Sequence, residues 1–179
     1  MMRRPHRSAG GHLPADPDAG PSTSPASEHW EPGETAPFRR AESTTLIGHG
    51  EELWRRASRD LLRWGVKTRS GFRVDDAHEV VAGEQLAITA GIGPVTVREP
   101  VIVVAVVQGP NRVGYTYRTL PGHPVAGEEA FIVHRSGDAV FLTLRSLTAP
   151  APSGFWRQVH PLLRLAQLVA RRRYRRALR

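Results

Sequence analysis

The chain has 179 residues, the length of one domain, and its 40% apolar residues are enough to build a hydrophobic core. It contains no cysteine, which excludes disulfides, thiolate metal sites and a cysteine nucleophile and favours a cytoplasmic location. The formal charge of +8 arises in residues 155–179, which hold eight arginines and no acid. The rest of the chain is electrically neutral, so we do not expect nucleic acid to be its partner.

The amino-terminal part is predicted to be a disordered tail. Residues 1–41 are rich in proline, glycine and serine, without a hydrophobic period, and such a segment cannot bury enough apolar surface to offset the entropy of ordering. It also lacks the apolar core of an export signal. We therefore expect one folded domain over residues 42–179.

The domain is predicted to open with a short strand and a helix. The strand is STTLI at residues 43–47, followed by glycines. In residues 51–64, apolar side chains recur every three or four positions and charged ones occupy the opposite side, which is the pattern of an amphipathic helix. Gly65 is its expected end.

Residues 72–148 have the composition of β-structure, with β-branched and aromatic runs broken by turn formers. Five or six strands are expected, and Pro100 is predicted to force a break or a bulge. The connections are too short for a crossover helix, so neighbouring strands must run antiparallel as a meander. The clearest predicted strands are residues 86–90, 95–107, 113–119, 129–135 and 139–147.

The chain is predicted to end in a long helix with one apolar stripe, over residues 161–178. At about 1.5 Å per residue such a helix is roughly 27 Å long, enough to cross a small sheet. The order of elements therefore predicts an α+β fold in which an antiparallel β-meander packs on a long carboxy-terminal helix. This is a helix-grip-like architecture, which often leaves a cavity between sheet and helix.

Three stretches resemble the uncharacterised DUF1990 family. They are GVKTRSGF at residues 65–72, TLPGHPVAGEEAF at residues 119–131, and the ending that contains Gln167, Arg173, Tyr174 and Leu178. The resemblance extends from about residue 43 to residue 178, and the Gly-His-Pro with its downstream Gly-Glu-Glu is its most specific part. It implies a shared domain and an important loop, but no activity.

The loop at residues 119–129 carries the candidate catalytic residues His123, Glu128 and Glu129. The unperturbed pKa of histidine lies near neutrality, and either glutamate could orient the ring. His123 could therefore form an acid-base pair with Glu128 or with Glu129. The alternative is a structural turn, built by the prolines and glycines, in which the histidine caps a backbone carbonyl and the glutamates are solvated.

Four further residues are candidates for ligand binding. Tyr115 and Tyr117 lie on one face of a predicted strand and could offer hydroxyl groups to a ligand, although core packing is the more common role of such residues. His134 and Arg145 interrupt apolar strand patterns and could fix a carboxylate or a carbonyl, unless they face solvent.

The turn GVKTRSGF offers Lys67, Arg69 and Ser70, which could bind an anion or form an ordinary surface connection. Lys67 is the one lysine among 25 basic residues. The eight histidines have no spacing that would gather three ligands, so we assign no metal and no cofactor.

The sequence favours a module that binds a small, mostly apolar ligand in a cavity between the sheet and the last helix, with the loop at residues 119–129 at its mouth. One alternative is an enzyme that uses the histidine-glutamate pair of that loop. Another is a protein whose arginine-rich helix, ending in RRRYRRALR, docks on anionic membrane or nucleic acid, although cations are also common at solvated helix ends. Whether the chain is an enzyme is left open.

Overall fold

A computed structural model describes residues 22–31, 37–75, 78–92, 95–151 and 168–179. Within them, seven strands form one antiparallel sheet in the order β1-β7-β6-β5-β4-β3-β2. The strands are β1 (Arg39–His49), β2 (Phe72–Val74), β3 (Gln85–Ile92), β4 (Val95–Gln108), β5 (Arg112–Thr119), β6 (Val125–Ser136) and β7 (Ala139–Pro150). The helices are α1 (Glu51–Leu62) and α2 (Gly65–Thr68), and residues 168–174 are also helical.

The predicted α+β class and the antiparallel meander are confirmed. Strands β2 to β7 follow one another as neighbours, and β1 joins the far edge beside β7. Each predicted strand is present, and the observed strands extend further than the predicted ones. Polar or small residues at the strand ends stay in the sheet because they pair with a neighbouring strand. The local sequence does not show which strand that is, so it predicts shorter strands.

The predicted break at Pro100 is wrong, because β4 runs through this residue, which pairs with Ala87 of β3. The carbonyl of Pro100 accepts a hydrogen bond from the Leu120 N–H at 2.9 Å, beyond the end of β5. The N–H that a proline lacks would point to the same side as this carbonyl, towards β5. Its absence therefore removes no backbone hydrogen bond between β4 and β3. The register shift of β4 lies instead between Val103 and Ala105.

The first helix ends earlier than predicted, and Gly65 begins α2 instead of closing α1. Trp64 has a left-handed backbone, with φ of 61°, and turns the chain between the two helices. Its fully buried ring lies 4.9 Å from the ring of Tyr115, so packing holds this uncommon conformation. A Cβ at residue 65 would lie 2.5 Å from the carbonyl oxygen of Asp60, which explains the glycine.

The two faces of the sheet have different covers. The inner face, which carries Tyr115 and Phe131, packs against α1, against Trp64 and against Tyr174 of the carboxy-terminal segment. These apolar and aromatic side chains form the main hydrophobic core. The opposite, outer face carries buried polar residues between β5, β6 and β7.

Residues 22–31 lie against the outer face, although the composition of this segment predicted disorder. The N–H and the hydroxyl of Thr23 both donate to Glu128 Oε1 at 2.7 Å, and the Arg112 Nε donates to the Pro25 carbonyl at 2.7 Å. Trp30 is buried under the guanidinium of Arg40, which lies 3.9 Å from its ring centre. Order in this segment therefore comes from polar partners on the sheet, not from its own composition.

The predicted long helix over residues 161–178 is not confirmed. The described part of this region is helical at residues 168–174 and forms turns at residues 175–178, while residues 152–167 lie outside the described residues. Arg171 and Arg175 stand four positions apart, as do Arg172 and Arg176, and like charges at this spacing destabilise a helix. None of the helices in the described part of the chain is long and apolar enough to cross a membrane.

Candidate functional site

A cavity of about 570 Å³ lies between the inner face of the sheet and the carboxy-terminal helical segment. Its walls come from α2, from β2 to β7, from the loop after β5 and from residues 169–174. Nine of the lining residues carry ionisable side chains. Six of them form one polar part of the wall: Lys67, Glu99, Tyr117, His123, Glu129 and Tyr174.

Lys67 is the centre of the polar group in the cavity wall. The residue is only 2% exposed, and its Nζ lies 3.1 Å from Glu129 Oε2 and 2.8 Å from the hydroxyl oxygen of Tyr174. The hydroxyl of Tyr117 donates to the same glutamate oxygen. A buried charge is tolerated when it is paired and hydrogen-bonded, and here both members of the ion pair have such partners.

Aromatic rings surround the ammonium group of Lys67. The Nζ lies 4.8 to 5.3 Å from four ring centres, those of Phe72, Tyr117, Phe131 and Tyr174. Each ring presents electron density to the cation, which strengthens its hold at this buried position. We refer to these four rings as the aromatic cage.

Electrostatics keep the carboxylate of Glu129 ionised. Burial raises the pKa of Glu129, but the charge of Lys67 and the hydrogen bonds from Tyr117 and Lys67 outweigh it, so the pKa is lowered. Burial and the charge of Glu129 both raise the pKa of Tyr117 and of Tyr174 well above the ordinary value. The two phenols therefore remain neutral near physiological pH.

His123 and Glu99 form a second polar pair in the same cavity. The Nδ1 of His123 accepts a hydrogen bond from the Val125 N–H at 3.1 Å, which leaves the proton of the neutral ring on Nε2. That Nε2 lies 4.0 Å from Glu99 Oε2. Burial, followed by the charge of Lys67, lowers the pKa of His123 to about 3. Burial raises the pKa of Glu99, and the charge of Glu129 adds to this, while Lys67 opposes it.

The buried neutral His123 predicts a pH dependence of stability. The unfolded chain takes up a proton near the ordinary pKa of 6.5, whereas the folded chain does so only near 3, so the free energy of unfolding falls as the pH falls through this window. The expected slope from this residue is up to about 1.4 kcal/mol per pH unit. Urea unfolding of the wild type and of His123→Asn, between pH 7 and roughly pH 4, checks it.

The asparagine variant keeps a hydrogen-bond acceptor for Val125 but has no group that titrates in this range. Its stability should therefore depend less on pH than that of the wild type. Parallel curves for the two proteins would contradict a neutral, buried His123.

The structure brings together only some of the residues that the sequence singled out. His123, Glu129 and Tyr117 line the cavity. The side chain of Glu128, however, reaches the outer face, where it binds Thr23 and lies 3.2 Å from Arg118. Adjacent residues of a strand point to opposite faces, so the two glutamates of the loop motif belong to different sites.

The other ligand-binding candidates lie away from the cavity. Tyr115 is fully buried between Trp64 and Phe131, in the core. His134 is on the outer face, with its Nε2 2.9 Å from the hydroxyl of Thr143 and its ring stacked on Phe141.

Arg145 occupies the centre of the outer face and is 1% exposed. Its NH1 donates to the carbonyls of Ser24 at 2.6 Å and Ser27 at 3.0 Å, and its NH2 donates to that of Glu28 at 2.8 Å. Its Nε lies 2.8 Å from Glu42 Oε1. The sequence predicted that Arg145 binds a ligand, but in the structure it binds carbonyl groups of the segment 22–31 of the same chain.

Sequence reasoning missed Lys67, Glu99 and Tyr174 as members of the cavity. The sequence predicts that Lys67 and Arg69 could bind an anion from the same turn. In the structure, Arg69 instead pairs with Asp60 at 2.6 Å, outside the cavity. One signal was available: in a chain whose other 24 basic residues are arginine, a single lysine indicates a position that needs a compact ammonium group. Tyr174 belongs to the ending that resembles the DUF1990 family, but nothing in the local sequence indicates that it lines a cavity, and nothing marks Glu99.

Comparisons with known proteins identify relatives but no activity. The family model described as "Domain of unknown function (DUF1990)" matches residues 25–177. A UPF0548 protein of Deinococcus radiodurans is 42% identical over 77 residues, which are 42% of this chain and 38% of that protein. The crystal structure of a hypothetical protein from Helicobacter pylori is similar in fold, with a TM-score of 0.57 at 13% identity, over 83% of this chain and 89% of that one.

Proposed function

The chain belongs to the DUF1990 family, a domain family without an assigned function, and we propose that it binds a small, mostly apolar molecule in the cavity at the inner face of the sheet. The observation that carries this proposal is the cavity of about 570 Å³ with a polar cluster at one part of its wall. Ligand pockets of soluble proteins have volumes of roughly 300 to 1,000 Å³ and combine apolar walls with a few polar groups.

The walls supply the apolar surface that such a ligand needs. Phe72, Ala90 and Val97 line the cavity from β2, β3 and β4, and Val169 and Ala170 line it from the carboxy-terminal segment. Contact with these groups removes apolar ligand surface from water, which favours binding by roughly 25 cal/mol per Å² before the costs of association. A cavity between the sheet and the carboxy-terminal segment agrees with a helix-grip-like architecture. That architecture also requires a long carboxy-terminal helix, which stays a prediction.

Native mass spectrometry of the full chain, compared with its denatured mass, tests the proposal directly. A molecule that co-purifies from the bacterial host is expected to add a reproducible mass that disappears on denaturation. An uncharged fluorescent probe, N-phenyl-1-naphthylamine, gives a second readout that does not depend on a retained ligand. Failure of this probe to bind, together with an empty native mass, would contradict the proposal.

Filling the cavity is expected to weaken binding. Ala90 is buried in the cavity wall, so the ring of Ala90→Phe would enter the space that the ligand uses. If the clash between the ring and the ligand costs as much as overpacking a protein core, roughly 1 to 3 kcal/mol, the dissociation constant of N-phenyl-1-naphthylamine rises about fivefold to more than a hundredfold. Thr89→Phe is the matched control, because the neighbouring residue of β3 points to the other face of the sheet. Equal weakening by both variants would contradict a ligand at Ala90.

The catalytic alternative receives less support from the geometry. Glu128 binds Thr23 on the outer face, and Glu129 is held by Lys67 and Tyr117, whereas His123 faces Glu99. The lowered pKa of His123, which follows from its burial and from the charge of Lys67, makes its ring a weak base. Catalysis by the histidine with either glutamate therefore stays a prediction that the arrangement of the side chains does not favour.

The docking alternative stays open. Arg172, Arg173, Arg175 and Arg176 are exposed at the end of the chain. A salt titration against anionic vesicles and duplex DNA tests it, and absence of binding at about 50 mM salt would exclude it. The cytoplasmic location also remains an expectation from the absence of cysteine.

A further inference from the structure

The Lys67 ammonium group and the Tyr174 hydroxyl that it contacts have more hydrogen-bond donors than the described residues have acceptors for them. An ammonium group has three donors and no acceptor. One N–H is directed to Glu129 and one to the hydroxyl oxygen of Tyr174. Because lysine can only donate, Tyr174 accepts in this contact, and its own hydroxyl proton is left to donate. Within the described part of the chain, neither this proton nor the third ammonium proton has an acceptor.

A further donor belongs to the His123–Glu99 pair. The Nδ1 of His123 accepts from Val125, so the neutral ring donates through Nε2. The distance of 4.0 Å from this Nε2 to Glu99 is too long for a hydrogen bond. Donors from α2, from the loop after β5 and from the carboxy-terminal segment thus line one cavity, and a ligand that accepts hydrogen bonds would satisfy them.

The charges around the cavity favour an anion. Lys67, Arg171 and Arg173 line it as cations. Arg171 donates to the hydroxyl of Ser146, and Arg173 NH1 lies 3.4 Å from the Ser70 carbonyl oxygen, so both guanidinium groups are anchored at the wall. Three carboxylates also lie at the wall, but Lys67 neutralises Glu129 and Arg118 pairs with Glu128 on the outer face. Glu99 then faces two further cations, so the balance stays positive.

The aromatic cage has no room for a cationic ligand. The aromatic cage is the part of the cavity wall that would attract an external ammonium group, and Lys67 already occupies it with its own. An amine that entered the cavity would meet this cation and the two arginines beside it. The side chain of Lys67 thus disfavours amines at the same position at which it attracts carboxylates.

We propose that the ligand of this cavity is a monocarboxylate with an apolar body, and that Lys67 and Tyr174 bind its carboxylate. The inference rests on the proposed function, because it names the class of molecule that the same cavity holds. The apolar body lies along the walls formed by Phe72, Val97 and Val169, and the carboxylate accepts the free protons of the Lys67–Tyr174 contact.

The test uses the full chain and N-phenyl-1-naphthylamine, which reports on the apolar cavity without a head-group charge. Dodecanoate, dodecanol and dodecylamine then compete with the probe at pH 7. Because the three competitors share the same dodecyl tail, any difference in the concentration that displaces the probe is due to the head group. Dodecanoate is expected to displace the probe at a concentration about tenfold lower than either of the others, the effect of one charge-assisted hydrogen bond.

Variants assign this preference to the lysine. Lys67→Met keeps an unbranched side chain but removes the charge, and the preference for dodecanoate over dodecanol is expected to disappear while the probe still binds. This change leaves Glu129 buried without its cation, so the double variant Lys67→Met/Glu129→Gln repeats the test with a neutral wall. Arg69→Met is the control, since Arg69 pairs with Asp60 outside the cavity, and this variant should retain the preference.

The possible outcomes separate the two proposals. If the wild type does not bind the probe and its native mass shows no bound molecule, the proposed cavity function is overturned. If the probe binds but the three competitors displace it equally, or dodecylamine displaces it best, the carboxylate inference is overturned and the cavity function stands. A preference for dodecanoate that survives in the double variant also overturns the assignment to Lys67.

Discussion

Arg145→Ala is expected to lower the free energy of unfolding by about 3 to 5 kcal/mol, the range for removing one partner from a buried charged cluster. The guanidinium of Arg145 is 1% exposed and donates to the carbonyls of Ser24, Ser27 and Glu28, and it also pairs with Glu42. Alanine leaves these carbonyls without their donor and releases the main attachment of residues 22–31. Urea unfolding of the full chain measures the loss.

Arg135→Ala is the matched control for this prediction. Arg135 lies on β6 and pairs with Glu51, but its side chain is 28% exposed and solvent can replace the lost contacts. Its replacement should cost less than about 1 kcal/mol. Limited proteolysis adds an independent readout, because Arg145→Ala should expose residues 22–31 to cleavage. Equal stability of the two variants, with this segment still protected, would show that Arg145 does not hold it.

Gly127→Ala is expected to be at least as damaging, at about 3 kcal/mol or more. A Cβ at residue 127 would lie 1.9 Å from the carbonyl oxygen of Leu147, a distance that no adjustment of a side chain can relieve. The backbone φ of 154° also disfavours a residue with a side chain. The methyl group must push β6 away from β7, and the bond from the Gly127 N–H to Thr119 Oγ1 at 2.9 Å would be weakened with it.

Gly91→Ala serves as the comparison, because a Cβ at residue 91 would meet no atom within 4 Å. Its stability should stay within about 0.5 kcal/mol of the wild type. Thermal and urea unfolding of both variants measure the difference. A Gly127→Ala protein as stable as Gly91→Ala would mean that β6 and β7 do not approach so closely at this position.

The two faces of the sheet are linked through neighbouring residues of the same strands. Tyr117 and Glu129 point to the cavity, while the next residue of β5 and the preceding one of β6, Arg118 and Glu128, point to the outer face and form an ion pair at 3.2 Å. Thr23 completes this pair through its bonds to Glu128. The segment 22–31 therefore supports the strands that position the cavity-facing side chains Tyr117 and Glu129.

Local sequence was sufficient for most of the secondary structure. Runs of β-branched and aromatic residues located every strand from β3 to β7, and the spacing of Trp54, Ala57 and Leu61 located α1. The errors lie where distant partners decide. Pro100 is tolerated because β5 ends beside it, and Trp64 adopts a left-handed backbone because Tyr115 packs on its ring.

The site illustrates the same limit. Alternation along a strand separates Glu128 from Glu129, but it does not say which of the two faces the cavity. That choice depends on Lys67, which is 62 residues away from Glu129, and on Tyr174, which is 107 residues away from Lys67. His123 was recognised from its loop, yet its partner in the structure, Glu99, comes from a different strand.

The sequence by itself determined the α+β class and the antiparallel order of the strands, because these depend on composition, periodicity and short connections. Its motifs also identified the family. Only the tertiary structure decided which polar residues meet. It placed Lys67 with Glu129 at the cavity and Arg145 with residues 22–31 on the outer face. The physical reason is that burial of a charge is stable only beside its partners, and those partners come from distant parts of the chain.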